Sequence, residues 1–287
     1  MTDGGRGTVV VTGASTGIGR ACALHLAAGG FDVLAGVRRE EDGERLREAA
    51  VANGSLTPLR LDVTDADSVR EAGATVEERT GVRGLAGLVN NAGVGSGGPL
   101  EFIPLDDVRR QFEVNLIGQI AVTQAMLGQL RKARGRIVNM GSIGARTPPP
   151  FGAPYAASKA ALRATSESLR RELRPWGIWV ATVAPGAIAT PIWDKGATAV
   201  QEVRGRLPEG TDALYGDVLD GAGAMTAKIG AGGLPPEKVA QVVEHVLTAR
   251  RPRRDYVVGR DARMQIALDR VLPTRVFDGL VRRFMGI

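Results

Sequence analysis

The stretch Thr8-Val9-Val10-Val11-Thr12-Gly13-Ala14-Ser15-Thr16-Gly17-Ile18-Gly19 runs directly into Arg20-Ala21-Cys22-Ala23-Leu24-His25-Leu26. Its first four residues are β-branched, with three consecutive valines and no polar alternation, the pattern of a strand covered on both faces. The last seven carry apolar side chains at helical spacing. Between them Gly13, Gly17 and Gly19 allow a tight turn and let an anion approach the backbone amides at the start of the helix, where the helix dipole favours negative charge. A strand, a glycine turn and a helix in this order open a βαβ unit.

Working outward, similar apolar runs recur at Asp32–Ala35, Leu85–Val89, Gly135–Asn139, Trp179–Val183 and Tyr256–Val258, separated by segments of helical length. Strands buried on both faces and joined by helices predict an α/β fold of the Rossmann type, a doubly wound parallel sheet. Residues 186–235 interrupt the rhythm with Gly, Ala and Pro among Trp193, Leu207, Tyr215 and Leu219, and read as a helical lid inserted beside the sheet. A helical tail follows over 260–287, with Val276, Phe277, Leu280, Val281 and Phe284 at helical spacing and Arg275, Arg282 and Arg283 around them. Packing on the body or on a second subunit is the first reading of that tail, and contact with a membrane surface the second. The whole chain, 1–287, reads as a single domain.

The net charge of +6 is dispersed. Its densest run, Arg250-Arg251-Pro252-Arg253-Arg254, lacks interleaved aromatics and reads as a solvated turn, so nucleic acid is not an expected partner. A single cysteine, Cys22, leaves no internal disulfide and no multi-cysteine metal site, and no metal is expected. No apolar run reaches the length of a signal-peptide core or of a membrane span, which leads to the expectation of a cytoplasmic protein with no transmembrane segment.

The glycine loop, Gly13, Ser15, Thr16, Gly17, Ile18 and Gly19, is the expected phosphate cradle of a dinucleotide. After the second apolar run, where a carboxylate would select ribose hydroxyls, the chain has Gly36-Val37-Arg38-Arg39. The guanidinium groups of Arg38 and Arg39 suit a 2′-phosphate, so NADP(H) is favoured over NAD(H). Further on, Pro154-Tyr155-Ala156-Ala157-Ser158-Lys159 opens a helix with phenol and ammonium one turn apart. A free phenol has a pKa of about 10, and a cation held beside it is expected to draw that value down toward the working range. Ser142 closes an apolar run at the sheet edge where ligands bind. Serine nucleophilic catalysis is disfavoured, because the only histidines, His25 and His245, lie in amphipathic patterns with no motif around them.

The ordered series Thr12-Gly13 to Gly19, Leu61-Asp62-Val63, Asn90-Asn91-Ala92-Gly93, Asn115, Ser142, Tyr155 with Lys159, and Pro185-Gly186 with Thr190 resembles the short-chain dehydrogenases/reductases. The resemblance lies with the non-extended branch and its members acting on retinol and 17β-hydroxysteroids. It implies catalysis by Ser142, Tyr155, Lys159 and Asn115, with Tyr155 exchanging the proton, Tyr155 and Lys159 also touching the cofactor, and Asn115 holding a relay water. It further implies that Asp62 and Val63 lie at the adenine, that Asn90, Ala92 and Gly93 support the cofactor wall, and that Pro185, Gly186, Ile188 and Thr190 pass along the nicotinamide. Implied partners are a small hydrophobic carbonyl or alcohol substrate and further copies of the chain in a homodimer or homotetramer. The alternative is a non-catalytic NADP(H)-sensing protein on the same fold. An epimerase or dehydratase is disfavoured by the glycine spacing.

Overall fold

The computed structural model describes residues 5–50, 55–190, 204–205, 208 and 210–285. Its centre is a seven-stranded sheet in the order β3-β2-β1-β4-β5-β6-β7. The strands are β1 (Thr8–Val11), β2 (Asp32–Val37), β3 (Ser55–Arg60), β4 (Leu85–Asn90), β5 (Arg136–Met140), β6 (Trp179–Pro185) and β7 (Asp255–Val258), and every pairing is parallel. The helices are α1 (Gly17–Ala28), α2 (Glu40–Ala49), α3 (Ala66–Thr80), α4 (Leu105–Phe112), α5 (Gly118–Ala133) and α6 (Ala153–Glu172), then α7 (Thr211–Gly232), α8 (Glu237–Thr248), α9 (Arg260–Val271) and α10 (Thr274–Met285).

The consecutive valines of β1 divide between two cores. Val9 and Val11 face Cys22, Leu26 and Val243 of α1 and α8. Val10 faces Val122, Met126 and Leu130 of α5 and Val69 and Val76 of α3. All three valines are fully buried, and such a side chain contributes about 1.5–3 kcal/mol relative to an exposed one. This is why the run lacks polar alternation. β1 pairs with β2 on one side and β4 on the other, so the chain reverses its direction of winding there and opens a crevice beyond the C-terminal ends of these strands.

Two features differ from the sequence expectation. The sheet has a seventh strand, β3, outside the six apolar runs of the sequence. It is an edge strand with an alternating burial pattern and Pro58 in its middle, a residue tolerated there because an edge need not donate every amide. The tail is two helices, broken between Val271 and Thr274 around Leu272-Pro273, since proline cannot continue a helix. Within the 186–235 segment α7 supplies a helix, whereas Trp193 and Leu207 lie outside the described residues. Among the described residues no helix is long and apolar enough to cross a membrane.

Candidate active site

The glycine loop sits at the point where the winding reverses. Gly13 and Gly17 adopt positive φ of 64° and 55°, which side-chain-bearing residues rarely take. A methyl group on Gly13 would stand 2.7 Å from the Ala92 Cα, and one on Gly19 would run into the Gly13 carbonyl oxygen and the Asn91 side chain. Thr16, the N-cap of α1, makes no side-chain capping bond, and the first turn carries no acid. The amides at this helix start are therefore left for an anion. Asn91 stitches the loop to the end of β4: its Nδ2 donates to the carbonyls of Thr12 at 3.0 Å and Gly13 at 3.1 Å. The Asn91 and Ala92 amides in turn donate to Thr12 Oγ1, both at 2.9 Å.

A single cleft of ≈ 2610 Å³ extends from this loop along the sheet edge. It exceeds the ~300–1,000 Å³ of an ordinary ligand pocket and has room for a dinucleotide and a second ligand. Gly13, Ser15, Thr16, Gly17, Ile18, Gly19, Arg38, Asp62, Val63, Ala92 and Gly93 line it, as do Ser142, Tyr155, Lys159, Pro185, Gly186, Ile188 and Thr190. Leu219, Leu234, Met264, Leu268, Phe277 and Leu280 from the α7 region and the tail also line it, beside Arg260, Arg263 and Arg283 of the same tail.

Two expected cofactor contacts do not reach the cleft. Arg39 turns outward and grips Asp42 with two hydrogen bonds, Nε to Oδ2 at 3.0 Å and Nη2 to Oδ1 at 3.1 Å, at the start of α2. A bidentate carboxylate one turn away holds this guanidinium. The Asn90 side chain lies inside the protein, where its Nδ2 donates to Thr123 Oγ1 and Asn139 Oδ1, both at 2.9 Å, joining β4 to α5 and β5. Arg38 remains the cleft's cation at the end of β2. At Asp62, burial raises the carboxyl pKa, but the Thr64 amide and hydroxyl and the charge of Arg38 outweigh it and hold the group below the ordinary value.

Tyr155 and Lys159 enter from the first two turns of α6. Ser142 is the group beside the Tyr155 phenol that lowers its pKa, and its Oγ accepts from the Gly144 amide at 3.1 Å. The Lys159 ammonium is buried and donates to the Met140 carbonyl at 3.0 Å, standing 6.0 Å from the centre of the Tyr155 ring. Burial pushes the lysine down to about 8. It pushes the Tyr155 phenol up, with only the neighbouring Ser142 opposing. The sequence expectation that Lys159 draws the phenol's pKa down therefore does not describe the chain by itself: the ammonium faces Met140, and desolvation governs.

Asn115 lies in a π-helical turn, Glu113–Ile117, between α4 and α5. Its Oδ1 accepts from the Val94 amide at 2.8 Å, while its Nδ2 donates to the Val94 carbonyl at 2.9 Å and Ser158 Oγ at 3.0 Å. It is fully buried and does not line the cleft. A Cβ on Gly93 would lie 3.2 Å from Asn115 Oδ1 and 3.3 Å from Lys159 Nζ, so this glycine is where the two side chains converge.

A doubly wound sheet with an uncapped glycine turn at its crevice and a tyrosine, lysine and serine along the same edge defines an α/β oxidoreductase that uses a nicotinamide dinucleotide. The family description "short chain dehydrogenase" matches residues 7–200, and the chain belongs to that family. Retinol dehydrogenase 5 of Mus musculus is 39% identical over 279 residues, which cover 95% of this chain and 87% of that protein. The NADPH-dependent 3-dehydrocapnine reductase of Ornithobacterium rhinotracheale is 34% identical over 94% of each chain. A crystal structure of a short-chain dehydrogenase from Burkholderia cenocepacia J2315 in complex with NADP superposes with a TM-score of 0.70 at 25% identity, covering 99% of both chains.

The glycine turn gives a direct test of where the dinucleotide binds. Gly19→Ala is expected to weaken NADPH binding at least about tenfold, because even a modest displacement of the loop disturbs several amide contacts to phosphate. Fluorescence titration of the variant with NADPH checks this, and unchanged affinity would move the phosphates elsewhere.

Proposed function

We propose that the chain is an NADP(H)-dependent oxidoreductase that interconverts a hydrophobic ketone or aldehyde and its alcohol, with Tyr155 as the proton-exchanging group. The observation that carries this reading is that Tyr155, Ser142 and Lys159 line one cleft, with the buried Lys159 ammonium 6.0 Å from the centre of the Tyr155 ring. The residues present fit a dinucleotide, as the open amides at the start of α1 and the cleft-facing Arg38 suit phosphates at two points. When bound, that nucleotide gives or takes the hydride at the substrate carbon.

The chain's own groups handle the oxygen. Ser142 and Tyr155 donate hydrogen bonds to the carbonyl, stabilising the negative charge that develops there, and Tyr155 passes its proton to that oxygen. A phenol whose pKa is raised by burial is fully protonated at neutral pH, which suits a proton donor in the reductive direction. Lys159 holds the nearest mobile charge. Asn115 fixes the Val94 segment and Ser158, and so the floor of the site, through direct hydrogen bonds. The apolar side chains that line the cleft, Leu219, Met264, Leu268 and Phe277 among them, support a hydrophobic substrate. The printed names of the relatives, a retinol dehydrogenase and an NADPH-dependent reductase, support the same reading. We take the protein to act in the cytoplasm as a homodimer or homotetramer.

Consumption of NADPH and of NADH against medium-chain ketones, steroids, retinoids and quinones tests the proposal. NADPH turnover with at least one apolar carbonyl is the expected result; tight NADPH binding with no turnover across the panel would favour the sensing alternative. In the same assay Arg38→Ala is expected to raise the NADPH KM by about 10–100-fold, the worth of a charge-assisted hydrogen bond, and to leave the NADH KM nearly unchanged. Equal losses for both cofactors would remove Arg38 as the phosphate ligand.

A further inference from the structure

The segment from Pro185 to Thr190 forms one wall of the cleft, and its position depends on the tail. The Gly186 amide donates to the Val258 carbonyl at 2.8 Å, and Ala189 and Leu234 exchange backbone bonds with this segment, Ala189 N to Leu234 O and Leu234 N to Ala187 O, each at 2.9 Å. The Ala187 amide between them donates to a side chain, Asp261 Oδ2, at 3.2 Å. Asp261 belongs to the first turn of α9.

An acid in a helix's first turn ordinarily serves its own helix, through the dipole or by accepting from the first amides. Here the carboxylate reaches out of its helix, and the space for it is made by two glycines. A Cβ on Gly186 would stand 2.8 Å from Asp261 Oδ2 and 2.9 Å from Ala262 Cβ, and a Cβ on Gly259 would run into Asp261 Oδ1. Gly259 itself turns the chain at φ 117° so that α9 starts immediately after β7. Ala262, the next residue, is buried at the same contact. Among the described residues no cation pairs with Asp261, so this carboxylate's one hydrogen bond goes to the cleft wall.

We propose that Asp261 is a positioning residue. Its carboxylate, itself on the cleft lining, fastens the Ala187 amide and so sets the Pro185–Thr190 wall against the cofactor, acting through that wall. This rests on the cofactor reading given above, whereas the effect on the wall itself does not.

The test compares Asp261→Ala, Asp261→Asn and Gly186→Ala with the parent chain. Two readouts need no turnover: amide hydrogen exchange of the peptide spanning 186–190 in cofactor-free protein, and NADPH affinity by fluorescence titration. Asp261→Ala is expected to speed exchange in that peptide and to raise the NADPH dissociation constant by about tenfold, as loss of a hydrogen bond to a charged group does. It should change kcat at saturating cofactor by less than about threefold, because the group acts through binding. Asp261→Asn keeps an acceptor oxygen and is expected to restore both readouts. Gly186→Ala crowds the same contact from the other side and should imitate Asp261→Ala, which keeps the test alive if that variant folds poorly. Parent-like exchange and affinity in both Asp261→Ala and Gly186→Ala would overturn the proposal, and so would an Asp261→Asn as impaired as Asp261→Ala. A parent chain that binds NADPH yet reduces nothing would sink the oxidoreductase reading and leave Asp261 standing.

Discussion

Replacing Tyr155 with Phe is expected to lower kcat/KM for carbonyl reduction by about 10²–10⁴-fold, the contribution of a positioned general acid, with little change in the NADPH dissociation constant. The change removes one oxygen and keeps the ring that packs in the first turn of α6, so the helix and its partner Ser158, whose hydroxyl donates to the Tyr155 carbonyl at 2.7 Å, stay as they are. Ser142 keeps the Gly144 amide, and can still donate one hydrogen bond to a substrate oxygen. A small residual rate therefore fits. The loss should appear in kcat and kcat/KM together, because a proton passed in the transition state contributes nothing to ground-state binding. Turnover within about tenfold of the parent, or 1.4 kcal/mol, would take Tyr155 out of the reaction.

How far this site was legible in the sequence depended on whether a residue's role is set locally. The valines of β1 and the three glycines after them follow local rules: burial on two faces forbids polar alternation, positive φ demands glycine at 13 and 17, and close approach demands it at 19. The strand, the turn and the helix accordingly fall where the sequence placed them. Tyr155 and Lys159 are also one local unit, a single turn of α6. Arg39 and Asn90 depended on partners that composition does not reveal. Arg39 had Asp42 within reach on the next turn, and Asn90 points inward because its strand position faces α5. β3 was missed since an edge strand shows half-burial and tolerates Pro58. The direction of the Tyr155 shift was out of reach for a similar reason: spacing says that the ammonium is near, but only the fold says that it faces Met140. Asn91 and Asp261 left faint traces. Asn91 lies in the Asn90–Gly93 motif, and Asp261 lies two residues beyond Gly259 after the last strand, yet the contacts of both cross from one segment to another.

Replacing Lys159 with Met is expected to make the protein more stable while nearly abolishing turnover, and the opposite signs follow from one cause. The folded chain holds this lysine buried, at a pKa of about 8 against the ordinary 10.5. At about 1.4 kcal/mol per pH unit, that difference costs the charged form on the order of 3 kcal/mol at neutral pH. Methionine has a similar volume and no charge to desolvate, though the Met140 carbonyl is left without its donor, a loss of about 1 kcal/mol. A net gain of about 1–2 kcal/mol in urea unfolding at pH 7 is the expected balance. The pH dependence identifies the group. A depressed lysine pKa means that between about pH 8 and 10.5 the unfolded chain retains a proton that the folded chain has shed, so the parent's stability rises with pH across that window. The penalty is fully present below about 8 and gone above 10.5. Lys159→Met lacks this rise. In activity the parent should lose reductive turnover as pH climbs through about 8, when the ammonium beside Tyr155 is neutralised, and the variant should be inactive and flat over the same range. A variant that is less stable than the parent at pH 7, or that reduces substrate at a comparable rate, would mean that the chain does not keep a costly buried charge for the sake of the proton on Tyr155.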